Sequence, residues 1–213
     1  DKDGWPDLVQ AGEWMPITIL HNEQGKFSNA TANSGLADKT GWWNSIVTGD
    51  FDGDGDDDFI VGNLGENSFY KASAQYPVSI YAKDFYKQGT TQCLVTLYLK
   101  ENANGQLKEF TAHNRDDVVE QLPFIKKRFL TYADFGKASF DKLFTPDEMK
   151  GMTRYSATWL GSSFLRNNGD GKFSLELLPA MAQYSAVNAM VVDDFDKDGH
   201  LDVCMNTNDF GTD

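Results

Sequence analysis

The sequence predicts an all-β chain built from repeated four-stranded units and carrying one small helical insertion. Three observations predict it. An Asp-rich loop recurs along the chain, Val/Ile/Phe-rich segments flank each complete copy, and an Asn/Gly turn alternates with it.

The loop Asp50-Phe51-Asp52-Gly53-Asp54-Gly55-Asp56-Asp57-Asp58 leads into Phe59-Ile60-Val61. It recurs as Asp194-Phe195-Asp196-Lys197-Asp198-Gly199-His200-Leu201-Asp202, leading into Val203-Cys204-Met205. Asp1-Lys2-Asp3-Gly4-Trp5-Pro6-Asp7 is the same motif without its first two residues. A degenerate copy starts at Asp84 and keeps Gly89, but Tyr86, Gln88 and Gln92 replace the acids. Ser45–Gly49 precedes the first complete loop and 188–192 the last, so each loop joins two β segments as a hairpin. A second hairpin type appears at Asn22-Glu23-Gln24-Gly25-Lys26-Phe27 and at Asn167-Asn168-Gly169-Asp170-Gly171-Lys172-Phe173. Two such hairpins in alternation make a four-stranded unit, the size of a propeller blade, and the chain holds three to four of them. Residues 114–152 break the pattern. Arg115–Leu122 and Phe124–Phe135 have helical spacing divided by Pro123, and Thr145-Pro146-Asp147-Glu148 is a capping box with Pro at the first helical position. This segment reads as a helical insertion on one blade, either a packed cap or a partner surface.

Asp50, Asp52, Asp54 and Asp58 take positions 1, 3, 5 and 9 of a nine-residue loop, as Asp194, Asp196, Asp198 and Asp202 do in the second copy. Alternate carboxylates in a tightly wound loop converge, and glycine permits the winding. Two carboxylates about 5 Å apart repel by roughly 3 kcal/mol at an effective dielectric near 20, so the arrangement calls for a cation. All-oxygen ligation favours calcium over zinc or copper, and magnesium keeps more waters. The backbone carbonyl at position 7, from Asp56 or His200, would complete the shell by analogy with other Asp-rich calcium loops. The alternative is an acidic surface turn without an ion, which repetition between strands argues against. Two complete calcium sites are expected. Asp1, Asp3 and Asp7 form a weak partial site, and the Asp84 loop is expected to hold no ion. An EF-hand needs a bidentate Glu at position 12 between helices, where this chain has Val61 and Met205 between strands. A dockerin would follow each loop with a helix.

With 40% hydrophobic residues the chain can bury a core, which excludes disorder. A net charge of −13 repels phosphate backbones and excludes a nucleic-acid partner. No run of about 18 apolar residues marks a membrane span. Opening inside a motif, the sequence is expected to be a segment of a longer chain that supplies the remaining blades. Cys93 and Cys204 lie in apolar runs and read as core thiols rather than a bridge.

In these motifs the sequence resembles the FG-GAP/VCBS repeat family, whose members form integrin-α-like β-propellers. The Asp50 and Asp194 loops carry the resemblance, supported by the two Asn…Gly-Lys-Phe turns. Gly41-Trp42-Trp43-Asn44 and the helical insertion are similar to bacterial secreted or surface proteins related to cartilage acidic protein. The resemblance implies calcium in the blade hairpins, extracytoplasmic placement and a role in binding or adhesion.

Three functions compete. The first is a non-enzymatic binding or scaffold module for protein or glycan ligands, with calcium rigidifying the hairpins. The second is a calcium-dependent carbohydrate-active enzyme of polysaccharide-lyase type, with Trp42, Trp43 and Trp159 stacking on sugars and His113 as base. Core packing is the stronger reading of those tryptophans, and no catalytic constellation emerges. The third is docking of another protein in the integrin manner. The first is the expected function.

Overall fold

A computed structural model of the chain describes residues 2–101 and 105–207. The chain forms two compact units, Asp1–Phe69 with Ala157–Asp213, and Tyr70–Ser156. The fold is mostly β, in several antiparallel sheets with few short helices, and no closed barrel is seen among the described residues.

The first unit opens with β1 (Leu8–Gln10), β2 (Glu13–Pro16), β3 (Thr18–Glu23) and β4 (Lys26–Asn29). The β3–β4 turn places Gln24 and Gly25 at φ 53° and 87°, a type I′ geometry that matches strand twist. A short helix α1 (Thr31–Ser34) precedes β5 (Thr40–Trp42). Strand β5 pairs with β2 across a bulge at Trp14, whose φ of 61° turns it edge-on to Trp42, with ring centroids 4.7 Å apart. Strands β6 (Ser45–Gly49) and β7 (Asp58–Gly62) form the first complete Asp-loop hairpin.

The second unit interrupts the first after β7. It contains β8 (Val78–Lys83), β9 (Gln92–Lys100) and β10 (Leu107–Thr111), followed by helices α2 (Arg115–Gln121), α3 (Phe124–Arg128), α4 (Tyr132–Gly136), α5 (Phe140–Leu143) and α6 (Pro146–Met149), and closes with β11 (Thr153–Ala157). Its sheet order is β10-β9-β8-β11. The helices bury Val118, Leu122, Ile125, Phe140 and Leu143 against Leu94, and Tyr81 lies 4.2 Å from Phe140 between ring centroids. Burial of each such side chain contributes about 1.5–3 kcal/mol. Asn114 caps α2 by accepting the N–H groups of Asp116 and Asp117, and the capping box at Thr145–Glu148 is formed as expected. Pro123 divides α2 from α3. The helix expected over Phe124–Phe135 is instead two, because Arg115 Nε captures the Phe129 carbonyl at 3.0 Å and Thr131 starts a new helix by accepting the Asp134 N–H.

The chain then returns to the first unit as β12 (Ser163–Asn167) and β13 (Phe173–Leu177), and ends its described part with β14 (Ala189–Asp193) and β15 (Asp202–Asn206). Strand β12 pairs with β7, Leu165 opposite Phe59, so the sheet runs β13-β12-β7-β6. One four-stranded unit is thus assembled from two hairpins with the second unit between them in sequence. Strands β1, β3 and β4 form a three-stranded counterpart, and β14–β15 a two-stranded one. The core of this unit is Ile17, Ile19, Leu36, Trp43, Val61 and Leu165. Both cysteines are free thiols. Cys93 is half-buried, but Cys204 is exposed, contrary to the expected core position. Its register partner Val191 is exposed on the same face, which no element covers among the described residues.

Candidate metal centre

Four loops share one backbone course. At position 4, Lys2, Gly53, Lys87 and Lys197 have φ of 63°, 77°, 55° and 64°. At position 6, Gly4, Gly55, Gly89 and Gly199 have φ of 92°, 84°, 79° and 91°. The winding is therefore common to all four loops, and what differs is which side chains line it.

In the β6–β7 loop, Asp50 accepts the N–H groups of Gly53 at 2.8 Å and Gly55 at 3.1 Å. Asp52 accepts from Asp54, and Asp54 from Asp56. These bonds fold the loop inward, and carboxylate oxygens of Asp50, Asp52 and Asp58 come within 4.8 Å of one another. In the β14–β15 loop, Asp194 accepts from Asp198 and Gly199, and Asp202 from Phe195. Asp194, Asp196 and Asp202 converge in the same way. Each group of three could hold one metal ion.

The other expected ligands stand outside these groups. Asp54 and Asp198 accept their own loops' N–H groups at 2.8 Å, from Asp56 and His200. The Asp56 carboxylate pairs with Lys2 at 2.6 Å. His200 enters as a backbone donor. In the partial first loop, Asp1 lies outside the described residues and Asp3 accepts the Trp5 N–H. Asp7 accepts the Asn22 N–H at 2.8 Å and faces His21 Nδ1 at 3.1 Å. Burial works against the Asp7 charge, but those two partners hold its carboxyl below the usual range. In the fourth loop burial is the largest single influence on Asp84 and raises its carboxyl, but the N–H groups it accepts from Gly89, Gln88 and Tyr86 together outweigh it and lower the carboxyl as well. Among the described residues it gathers no acidic partners.

Asp58 is the most enclosed acid of its group. It is fully buried, and its Oδ1 accepts the Asn167 N–H at 2.8 Å. Its Oδ2 is buried without a hydrogen-bond partner. Burial pushes the Asp58 carboxyl up, the Asn167 N–H opposes this, and the neighbouring charges of Asp52 and Asp54 add to it. A buried, unsatisfied carboxylate oxygen beside two further carboxylates fits a hard cation, which would satisfy all three.

The Asn/Gly turns, read as separate hairpins in the sequence, are clamps on these loops. Asn167 donates its backbone N–H to Asp58 and its Nδ2 to the Asp57 carbonyl. Asn22 does the same to Asp7 and to the Pro6 carbonyl. The residue before each clamp also reaches the acids: His21 meets Asp7, and Arg166 forms an ion pair with Asp52. Arg166, Lys2 and the two asparagines were not predicted. Aligning the turn motif beside the loop motif, with Asn opposite position 9, would have found three of them.

The residues of the sugar-cleaving alternative have structural roles. Trp43 is a core side chain. Trp159 donates Nε1–H to the Gly161 carbonyl and to Ser163 Oγ. His113 Nε2 accepts the Val95 N–H at 3.1 Å.

Comparison with known families gives two matches. The FG-GAP-like repeat matches residues 1–61, covering the first two loops, and the FG-GAP repeat matches residues 42–81. No curated protein and no solved structure matches the chain. FG-GAP repeats are propeller-type units, in agreement with the four-stranded antiparallel sheet around the Asp50 loop. Two FG-GAP repeat models thus match the N-terminal region of this chain, residues 1–81, and support an FG-GAP repeat organisation there.

Proposed function

We propose that the chain is part of a calcium-binding, extracytoplasmic β-propeller that binds a protein or polysaccharide and carries out no catalysis. The observation that carries this reading is the buried Asp58 Oδ2, without a partner beside Asp50 and Asp52. An all-oxygen group of this kind suits calcium, which accepts several protein oxygens in irregular geometry, better than magnesium. FG-GAP repeats are typically extracellular and generally non-enzymatic, and no described helix is long and apolar enough to cross a membrane. The packed tryptophans and the hydrogen-bonded His113 favour a scaffold over a lyase. The β14–β15 hairpin carries the same loop as β6–β7 but forms a two-stranded sheet, which supports further blades completing it.

The test is a thermal melt of the chelator-stripped chain with and without millimolar calcium, with magnesium as control. A calcium-selective rise of several degrees is expected. A melting temperature unmoved by calcium, or moved equally by magnesium, would overturn the metal assignment. Surface-protein capture set beside a glycan array then separates the two ligand classes, and turnover of an acidic polysaccharide would replace the binding reading with an enzymatic one.

A further inference from the structure

Arg166 lies on β12, one residue before the clamp Asn167, and its Nη1 pairs with the Asp52 carboxylate. Its Nε stands 3.6 Å from Glu176 Oε1 on the neighbouring strand β13, and its guanidinium carbon lies 5.0 Å from the Phe164 ring centroid. The guanidinium is thus shared between one acid inside the metal group and one outside it. The Asp194 loop differs: among the described residues no lysine or arginine is paired with Asp194, Asp196 or Asp202.

A guanidinium bound to a ligand oxygen occupies the lone pairs a metal needs and repels a dication at the same place. The two compete for Asp52, and an arginine that stayed would oppose the ion through charge repulsion. The Arg166 side chain is about a third exposed and Glu176 is within reach, so transfer requires side-chain rotation without backbone rearrangement.

We propose that Arg166 is a tethered counter-cation that sets the affinity of the Asp50 loop. It neutralises Asp52 when the loop holds no divalent ion and moves to Glu176 when calcium binds. The Asp50 loop then binds calcium more weakly than an equivalent loop without the arginine.

This inference rests on the calcium reading, and the experiment separates the two. Calcium is titrated into the ¹⁵N-labelled chain while the amides of Gly55 and Gly199 are followed, since each donates to the position 1 aspartate of its own loop. Arg166→Gln is expected to lower the Gly55 midpoint about tenfold and leave the Gly199 midpoint within twofold. Glu176→Gln, which removes the alternative seat, is expected to raise the Gly55 midpoint severalfold. A Gly55 midpoint unchanged by Arg166→Gln, with Gly199 still responding, overturns the role of Arg166 and leaves the calcium reading intact. If neither amide responds to calcium in the unmodified chain, both fall. Should Arg166→Gln fail to fold, Glu176→Gln decides, and an unchanged midpoint there overturns the proposal.

Discussion

Asn167 donates its backbone N–H to Asp58 Oδ1 across 2.8 Å, and its side-chain amide to the carbonyl of Asp57. The same residue accepts the Gly169 N–H, so one asparagine joins the following turn to the metal loop. Asn167→Ala keeps the backbone bond and loses both side-chain bonds. The expected loss is about 1 kcal/mol, a fall in Tm of roughly 2–4 °C, with a similar fall for Asn22→Ala. Melts in chelator check this, and unchanged Tm in both variants would remove the clamp from the account of stability.

Asp58→Asn separates the loop's fold from its metal. An asparagine can still accept from Asn167, and its amide would donate toward Asp50 and Asp52 where Asp58 Oδ2 has no partner. Relief of a buried charge among like charges should stabilise the calcium-free chain by about 1–2 kcal/mol. In millimolar calcium the order should reverse, because linkage to the ion is lost. Melting curves that keep the same order in both conditions would contradict the assignment of Asp58 as a ligand.

Gly89 and Gly199 have the same left-handed backbone, with open space where a Cβ would sit. Alanine at either position therefore costs about 1 kcal/mol of conformational energy. Gly89→Ala should show that cost equally in calcium and in chelator, since the Asp84 loop gathers no acids among the described residues. Gly199→Ala should show a larger deficit in calcium. Denaturant unfolding of both variants measures the difference.

His113 gives the chain a pH-dependent contribution to stability below the ordinary histidine range. Burial lowers its pKa from 6.5, opposed by the charge of Asp117, and the Val95 N–H requires a neutral Nε2 acceptor. The folded protein holds this proton more weakly than the unfolded chain does. The contribution is complete above pH 6.5 and is lost as pH falls below it. His113→Gln, whose amide oxygen can accept from Val95 without titrating, should flatten the stability profile below pH 6.5.

Glu148 acts in a more acidic range. Two hydrogen bonds from Arg128, both 3.0 Å, and the Thr145 capping bonds lower its carboxyl from 4.5 to about 2. Its stabilisation is present above pH 4.5 and is lost as pH falls toward 2. With both side chains partly exposed, solvent screening reduces the effect to about 1 kcal/mol. The gap in stability between the unmodified chain and Glu148→Gln should close over that interval.

The loops were legible because acid spacing and Gly55 or Gly199 specify them within nine residues. The hairpins followed from strand composition, and Thr145–Glu148 from its cap. The split at Phe129 depended on a side chain from another helix, Arg115, which helical periodicity does not encode. The exposure of Cys204 depended on which face of β14–β15 is left uncovered. Arg166 and Asn167 escaped because Asp52 and Asp58, their partners, lie 114 and 109 residues away in sequence. Proximity of that kind is set by strand pairing.

The interruption between β7 and β12 has a kinetic consequence. The Asn63 N–H meets Ser162 Oγ at 3.0 Å across a separation of 99 residues, so the chain leaves the sheet and re-enters it at the same point. The β6–β7 hairpin is local and can close early, whereas pairing with β12 must wait for the long excursion to be gathered in. During that delay Asp58 has neither its cover nor the Asn167 amide. The nascent hairpin is an exposed acidic turn whose carboxylates come under cover only at the closing step, so an ion seated there would follow the completed sheet rather than guide its assembly.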